Sequence, residues 1–329
     1  MAKNNQVEVE RYFGLAHPKT KEEINQRTLF NIGSVTKQFT GYLLLEMIRE
    51  HRISLDSPVA AYLPEFFNHP IGSIQIRHLM QMTSGIPYLL PLRKFIGIQL
   101  SSRIHSETEL IQTIIEQKLE FKPGDHFLYS NLGYSLLGII LERVSNQSWS
   151  ELVQNRIFSP LGITYSQIEG IRPEPPSNLA IGFVPVAIPP LSLFRFIPMP
   201  HWNYSMIKGA GGIVSNLHDL YLWNKHLTEK SIRDPAWMKD YFFSGNEKNH
   251  FYSYGWEAES RLGLSDSKYQ MVFHAGEDPG FFTLVLRIPQ LQTFLIVTTN
   301  SDYCFWSGWL DPFMEKLKTT MMDIATNAQ

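Results

Sequence analysis

One cysteine, Cys304, occurs among the 329 residues of the chain. That excludes an internal disulfide framework and a thiolate-rich metal site. Neither sign of charge is in excess: 29 basic residues stand against 31 acidic ones, a net charge of −2, so nothing points to nucleic acid. No uninterrupted apolar stretch reaches transmembrane length. The opening run Met1-Ala2-Lys3-Asn4-Asn5-Gln6-Val7-Glu8 lacks the apolar region of a secretory signal, which predicts a cytoplasmic protein as given, periplasmic or secreted if the N-terminus is trimmed. Internal repeats and low-complexity tracts are absent. The most lipophilic segment, Ile181–Pro200, is broken by Pro185, Pro189, Pro190, Pro198, Pro200 and Arg195. A helix cannot run through that spacing, so the segment is predicted as an irregular apolar surface stretch, a pocket wall, a lid or a partner contact.

What is present suits a soluble globular protein: 43% of the residues are hydrophobic and 18% charged. The length predicts two lobes, or one large α/β unit with an insertion. Val7–Ala16 alternates partly and reads as a strand interrupted at Gly14. Ser34–Glu50 reads as a helix with Phe39, Leu43, Leu44, Met47 and Ile48 on one core-facing stripe. Further helices are predicted over Leu55–Phe67, Ile76–Met82, Glu107–Glu120 and Asn131–Val144, with a closing helix over Asp311–Ala325. The last third is rich in aromatic and branched residues, predicting strands at Tyr254–Glu259, Tyr269–Ala275, Phe281–Ile288 and Thr293–Thr299. The last two are joined by a hairpin-length turn. One antiparallel sheet built from both ends of the chain, flanked by helices, is the expected architecture. The α/β lobe takes 1–75 and 205–329, a mainly helical lobe takes 76–204, and the site lies in the cleft between them.

The candidate chemistry begins at Ser34-Val35-Thr36-Lys37. Serine and lysine three residues apart on a first helical turn share a face within hydrogen-bonding reach. Lysine activates a serine hydroxyl when burial or a neighbouring charge lowers its pKa. The spacing recurs at Ser205/Lys208 and Ser265/Lys268, so it selects nothing alone. Two patterns that occur once each single out Ser34: Tyr129-Ser130-Asn131 after the Pro123-Gly124 turn, and His274-Ala275-Gly276 at the end of a predicted strand. Each residue has an ordinary reading, with Ser34 as a helix cap, Tyr129 as a half-buried aromatic and His274 as a packed strand residue. Their joint order favours a site.

That order resembles the serine β-lactamase and penicillin-binding protein superfamily. Tyr-x-Asn in the second element is similar to the branch of class C β-lactamases, D-alanyl-D-alanine carboxypeptidases and related esterases. The stretches Leu79–Pro87 and Ala210–Ser215 followed by Asp219-Leu220 are similar to further segments of that family. The resemblance implies a β-lactamase/transpeptidase-like fold. It makes Ser34 the nucleophile, with general-base work shared by Lys37 and Tyr129, either of which takes the proton. Asn131 is implied to bind the substrate amide or Lys37, and His274 to line the opposite wall. The backbone N–H groups of Ser34 and Glu277, the latter just after Gly276, are implied as the oxyanion hole. No metal or organic cofactor is implied.

Three departures qualify the resemblance. Only about ten residues precede the segment matching Tyr12–Ala16, so the sheet is expected to lack a strand and its covering helix. That leaves an apolar N-terminal sheet edge, either exposed or covered by a partner or oligomer contact. Met82 replaces a family histidine, which is expected to be a packing matter. Glu277 and Asp278 follow the third element where carboxylate-recognising members place hydroxyl and basic groups. A like charge at about 4 Å costs roughly 1–4 kcal/mol, which argues against a dedicated β-lactamase or carboxypeptidase. The expected function is therefore a serine hydrolase acting through an acyl-enzyme on a neutral or amine-bearing ester, amide or short peptide. The alternatives are a β-lactamase or penicillin-binding carboxypeptidase, and a non-catalytic binding protein on the same fold.

Overall fold

The computed structural model describes residues 1–88, 104–168, 175–188, 193–199, 203–244, 252–258 and 270–301, with 312, 316, 317 and 319–321 beyond. Seven antiparallel strands form the main sheet in the order Tyr252–Ser253, Trp256–Ala258, Val272–Asp278, Phe281–Ile288, Thr293–Thr299, Ala2–Lys3 and Gln6–Val7. Both ends of the chain thus meet in one sheet, as the strand pattern predicts. Phe281–Ile288 is buried at every position, and its period of two divides it between two cores. Val285 packs into the main core with Leu43 and Trp223. Phe282, Leu284, Leu286 and Ile288 face a smaller cluster with Met271, Leu291 and Met321. The rest of the closing helix expected over Asp311–Ala325 lies largely outside the described residues.

The helix Thr36–Arg49 runs through the middle of the molecule. A single buried stripe was expected, yet Thr36 to Leu45 and Met47 are all buried. The reason is that it is packed on several sides: helices Asn131–Ser145, Trp149–Val153 and Pro235–Phe243 all contact it. The turn between Tyr252–Ser253 and Trp256–Ala258 lies so close that a Cβ on Gly41 would sit 2.1 Å from the Tyr254 carbonyl oxygen. A helix enclosed in this way is buried on every side rather than along one stripe, its polar Lys37, Gln38 and Thr40 included.

Several predicted elements are redrawn. Val7–Ala16 is no single strand: Gln6–Val7 edges the main sheet, while Leu15–His17 pairs with Glu22–Glu23 in a separate ribbon beyond Gly14. Leu55–Phe67 forms two short 3-10 turns, Val59–Ala61 and Pro64–Phe66, because Pro58 and Pro64 interrupt it. The Ile181–Pro200 segment is not irregular. Phe183–Ile188 and Leu193–Pro198 pair as a two-stranded ribbon, which accepts proline because both of its strands are edges. The span 76–204 therefore mixes helices with this ribbon and with Gln167–Ile168, which pairs with Ile213–Ser215. At the N-terminal sheet edge, Ala2–Lys3 covers only Phe294 and Thr293 of the neighbouring strand. A cavity of about 520 Å³ lies beside the remainder, lined by Val9, Phe13, Phe30, Leu217, Tyr221 and Ile296 among others.

A buried guanidinium stands within this core. Arg287 is 1% exposed and lies between the rings of Phe242 and Phe294. It donates to the Asn224 carbonyl and Oδ1 at 2.9 and 2.6 Å and to Thr228 Oγ1 at 2.8 Å. Burial lowers its pKa, without neutralising a guanidinium near pH 7. Arg287→Ala removes both the packing and the donors, and should destabilise by about 3 kcal/mol. Arg287→Met restores apolar volume and should lose less than half as much. Urea unfolding midpoints of the two variants check this order.

Candidate active site

The chain enters the central helix through a 3-10 turn, Gly33–Val35, and no side chain caps either segment. Ser34 is therefore not an ordinary cap. Its hydroxyl instead lies in hydrogen-bond contact with Lys37 Nζ at 2.9 Å. Lys37 is fully buried, and its Nζ reaches two further oxygens, Asn131 Oδ1 at 2.7 Å and the Ala210 carbonyl at 2.8 Å. Burial holds the amine well below the ordinary lysine range. A neutral amine carries two hydrogens and one lone pair. Asn131 Oδ1 and the Ala210 carbonyl can only accept, so they take the hydrogens. The lone pair is left facing Ser34, the one of the three partners that can donate.

Tyr129 completes the group. Lys37 Nζ lies 4.9 Å from its ring centroid. Burial holds the phenol well above its ordinary pKa, and a hydrogen bond with Ser34 offsets that only in part. Amine and phenol are thus pushed apart, one towards neutral base and the other towards neutral acid. The placement of Tyr129 and Asn131 comes from Ser130 between them. Its hydroxyl accepts from the Gly133 N–H at 3.1 Å, capping helix Asn131–Ser145, and donates to the Pro87 carbonyl at 3.1 Å. Met82, expected to be a packing residue, is fully buried. It also accepts the Ser130 N–H on its sulfur at 3.2 Å, from a left-handed backbone with φ of 57°.

The third element meets the serine turn backbone to backbone. A Cβ on Gly276 would lie 1.9 Å from the Ile32 carbonyl oxygen, and one on Gly33 would lie 2.7 Å from the Glu277 nitrogen. Only glycine permits that approach, which sets the Glu277 backbone beside the serine turn. His274 departs from its expected place on the cleft wall. It is 1% exposed, with Nδ1 2.6 Å from the Ala275 carbonyl and Nε2 2.8 Å from the Tyr252 hydroxyl. The carbonyl requires Nδ1 to carry the proton, so Nε2 accepts from Tyr252. Burial first, and then Lys37, push the imidazole down to about 3, so it is neutral at working pH. Its ring stands 6.2 Å from that of Tyr129. Tyr252 also meets Tyr129 edge-on at 5.9 Å.

The two acidic residues of this strand diverge. Asp278 accepts from the Tyr204 hydroxyl. Glu277 is exposed, and its charge adds to burial in raising the Tyr88 phenol. Glu257 acts in the same sense on Tyr129. Beside Asn31 and Tyr204, a cavity of about 350 Å³ is walled by Leu179, Ile181, Met199 and Phe281. Among the other Ser-x-x-Lys spacings, Ser205 accepts the His105 N–H at 2.8 Å and Lys208 binds Glu142 at 2.7 Å. Ser265/Lys268 lies outside the described residues. Side-chain identity marks neither Ala210, which acts through its carbonyl, nor Tyr252. Among the described residues no group of His, Cys, Asp and Glu is arranged to hold a metal ion, and no helix is long and apolar enough to cross a membrane.

A family model described as Beta-lactamase matches residues 1–306. The chain belongs to the beta-lactamase family. It is 24% identical over 331 residues to Protein flp of Staphylococcus aureus (strain COL), covering 98% of this chain and 62% of that protein. It is 27% identical over 304 residues to Penicillin-binding protein 4* of Bacillus subtilis (strain 168), covering 88% of this chain and 64% of that protein. The chain thus spans less than two thirds of the length of these relatives. Among solved structures, the octameric penicillin-binding protein homologue from Pyrococcus abyssi superposes with a TM-score of 0.72 at 25% identity, over 91% of this chain and 68% of that one. SurE superposes with a TM-score of 0.70 at 24% identity, over 88% and 64%. The fold expected from the sequence is thereby established.

Burying Lys37 weighs on stability with a definite sign. The unfolded chain keeps this lysine protonated up to its ordinary pKa, while the fold holds it neutral to lower pH. The unfolded state binds more protons in that window, so stability rises with pH across it and is diminished at neutrality. Lys37→Met should therefore stabilise the fold by about 1–2 kcal/mol at pH 7. The gain should shrink as pH rises toward the ordinary lysine range. Thermal melts across pH test both statements.

Proposed function

We propose that this protein is a serine hydrolase that forms an acyl-enzyme at Ser34. The observation that carries the reading is the buried Lys37 amine, whose two acceptor-only partners leave its lone pair on the Ser34 hydroxyl. In the proposed first step Ser34 Oγ attacks the acyl carbonyl while its proton passes to Lys37 Nζ. The tetrahedral oxygen is stabilised by the backbone N–H groups of Ser34 and Glu277. Collapse breaks the acyl–leaving-group bond, and the leaving group takes a proton from the Tyr129 phenol, which Lys37 resupplies. Water then attacks the acyl-enzyme with Lys37 as base, releasing the acid and restoring Ser34. Asn131 orients Lys37, and His274 holds the Tyr252 and Tyr129 rings from behind rather than touching substrate.

The substrate we favour is an uncharged or amine-bearing ester or amide. Glu277 at the cleft and Glu257 near Tyr129 disfavour an anionic substrate group. The apolar cavity beside Asn31 and Tyr204 suits an uncharged substituent. A second reading, penicillin binding, is favoured by the printed name of the Bacillus subtilis relative.

A chromogenic short-chain ester should be hydrolysed by the wild type, with loss of at least about 1000-fold in Ser34→Ala. Tyr129→Phe should lower kcat by about 10²–10³-fold with KM little changed. Unchanged hydrolysis in Ser34→Ala would sink the proposal. Intact-mass measurement after incubation with a penicillin decides the second reading, through the presence or absence of an adduct on Ser34.

A further inference from the structure

Lys37 owes its orientation to the Ala210 carbonyl, and that carbonyl belongs to a turn with no direct bond to the lysine's own backbone. The turn runs from Lys208 to Gly211, closed by Ala210 and Gly211 N–H bonds to the Ile207 carbonyl at 2.9 Å each. What pins it against the central helix is Thr40, one turn beyond Lys37 and fully buried. Thr40 Oγ1 donates to the Gly209 carbonyl at 2.7 Å. A hydroxyl has one hydrogen, so its contact with Trp149 Nε1 at 3.0 Å is one in which Thr40 accepts. Trp149 is itself buried at 2% exposure, and the indole N–H can only donate. The direction of the chain is therefore fixed throughout: Trp149 N–H to Thr40 hydroxyl, Thr40 hydroxyl to Gly209 carbonyl, with Ala210 following in sequence.

Two neighbouring contacts make the turn's position depend on that clamp. Gly209 sits against Gly138 of helix Asn131–Ser145, where a Cβ on Gly138 would lie 3.4 Å from the Gly209 Cα. Lys208 Nζ reaches Glu142 on the same helix at 2.7 Å. The helix that supplies Asn131 thus holds one side of the turn, and the helix that supplies Lys37 holds the other through Thr40. The two acceptors of the Lys37 hydrogens, Asn131 Oδ1 and the Ala210 carbonyl, are set by these two attachments.

We propose that Thr40 is a positioning residue for the acyl-transfer base: clamped between the Trp149 indole and the Gly209 carbonyl, its hydroxyl fixes the Lys208–Gly211 turn and, through the Ala210 carbonyl, aims the Lys37 amine at Ser34. This rests on the reading of Ser34 and Lys37 as nucleophile and base. Without the clamp, the carbonyl withdraws and the amine rotates away from the serine. The substrate-binding surfaces are untouched.

The test follows labelling of Ser34 by a fluorophosphonate across pH, beside ester kcat and KM, in the wild type and in Thr40→Val, Thr40→Ser and Trp149→Phe. Thr40→Val keeps the shape and loses the hydroxyl; it should label about 10- to 100-fold more slowly, with kcat falling alike and KM unchanged. Its acid limb should move to lower pH, because the ammonium form of Lys37 loses more than the amine does when an acceptor withdraws. Thr40→Ser should restore rate and limb. Trp149→Phe should shift both in the same direction by a smaller factor, and it decides the matter if Thr40→Val fails to fold. Wild-type protein that does not label at Ser34 overturns the acyl-enzyme reading and the clamp with it. Wild-type labelling with rates and limb unchanged in Thr40→Val, or a slower rate with an unmoved limb, overturns the clamp alone. Failure of Thr40→Ser to rescue does so too.

Discussion

A buried amine needs partners for its hydrogens, and this molecule is organised around supplying them to Lys37. Desolvation alone would merely make the group neutral and costly. Placing Asn131 Oδ1 and the Ala210 carbonyl on it converts that burden into direction, since both must accept and the serine alone can give. Those two oxygens come from distant parts of the chain, so the central helix, the Asn131–Ser145 helix and the Lys208–Gly211 turn must keep a fixed spacing. The aromatic packing around them, Tyr129 against Tyr252 and His274 and Tyr134 against Tyr252, supplies that rigidity without further charge.

His274 illustrates how a motif residue changes meaning once its neighbours are known. A histidine at this point suggests a group facing substrate. Here Tyr252 and the Ala275 carbonyl occupy both ring nitrogens, and burial keeps the ring neutral. It serves the phenols behind the cleft. The acidic pair after it divides similarly, because Tyr204 takes Asp278 and leaves Glu277 as the charge nearer the opening.

Much of this was legible in the linear chain, and the boundary of legibility is physical. Ser34 and Lys37 are neighbours on one helical turn, and Tyr129 and Asn131 flank a cap, so local geometry places each pair before any tertiary contact forms. The runs Phe281–Ile288 and Thr293–Thr299, rich in aromatic and branched residues and joined by a hairpin-length turn, mark themselves as an antiparallel pair. What sequence does not carry is partnership across distance. The Ala210 oxygen is a backbone atom with no side-chain signature, and the Tyr252–His274 bond depends on how two strands align through a third. The ribbon Phe183–Pro198 was hidden because its prolines mimic a coil, and Val7–Ala16 because exposed residues impose no single register.

The close approach of Gly33 to Gly276 has a consequence for the order in which the molecule is made. The serine turn precedes the strand that presses on it by most of the described chain, so it is synthesised well before that strand. Ala2 likewise waits for Phe294. Such distant pairings form late in folding, after the local helices. A nascent chain that ends before Val272–Asp278 therefore lacks the backbone that closes on the serine turn and the His274 ring beside Tyr129. The serine turn meets its backbone neighbour only once that strand is in place, so completion of the sheet acts as a checkpoint on the site's assembly.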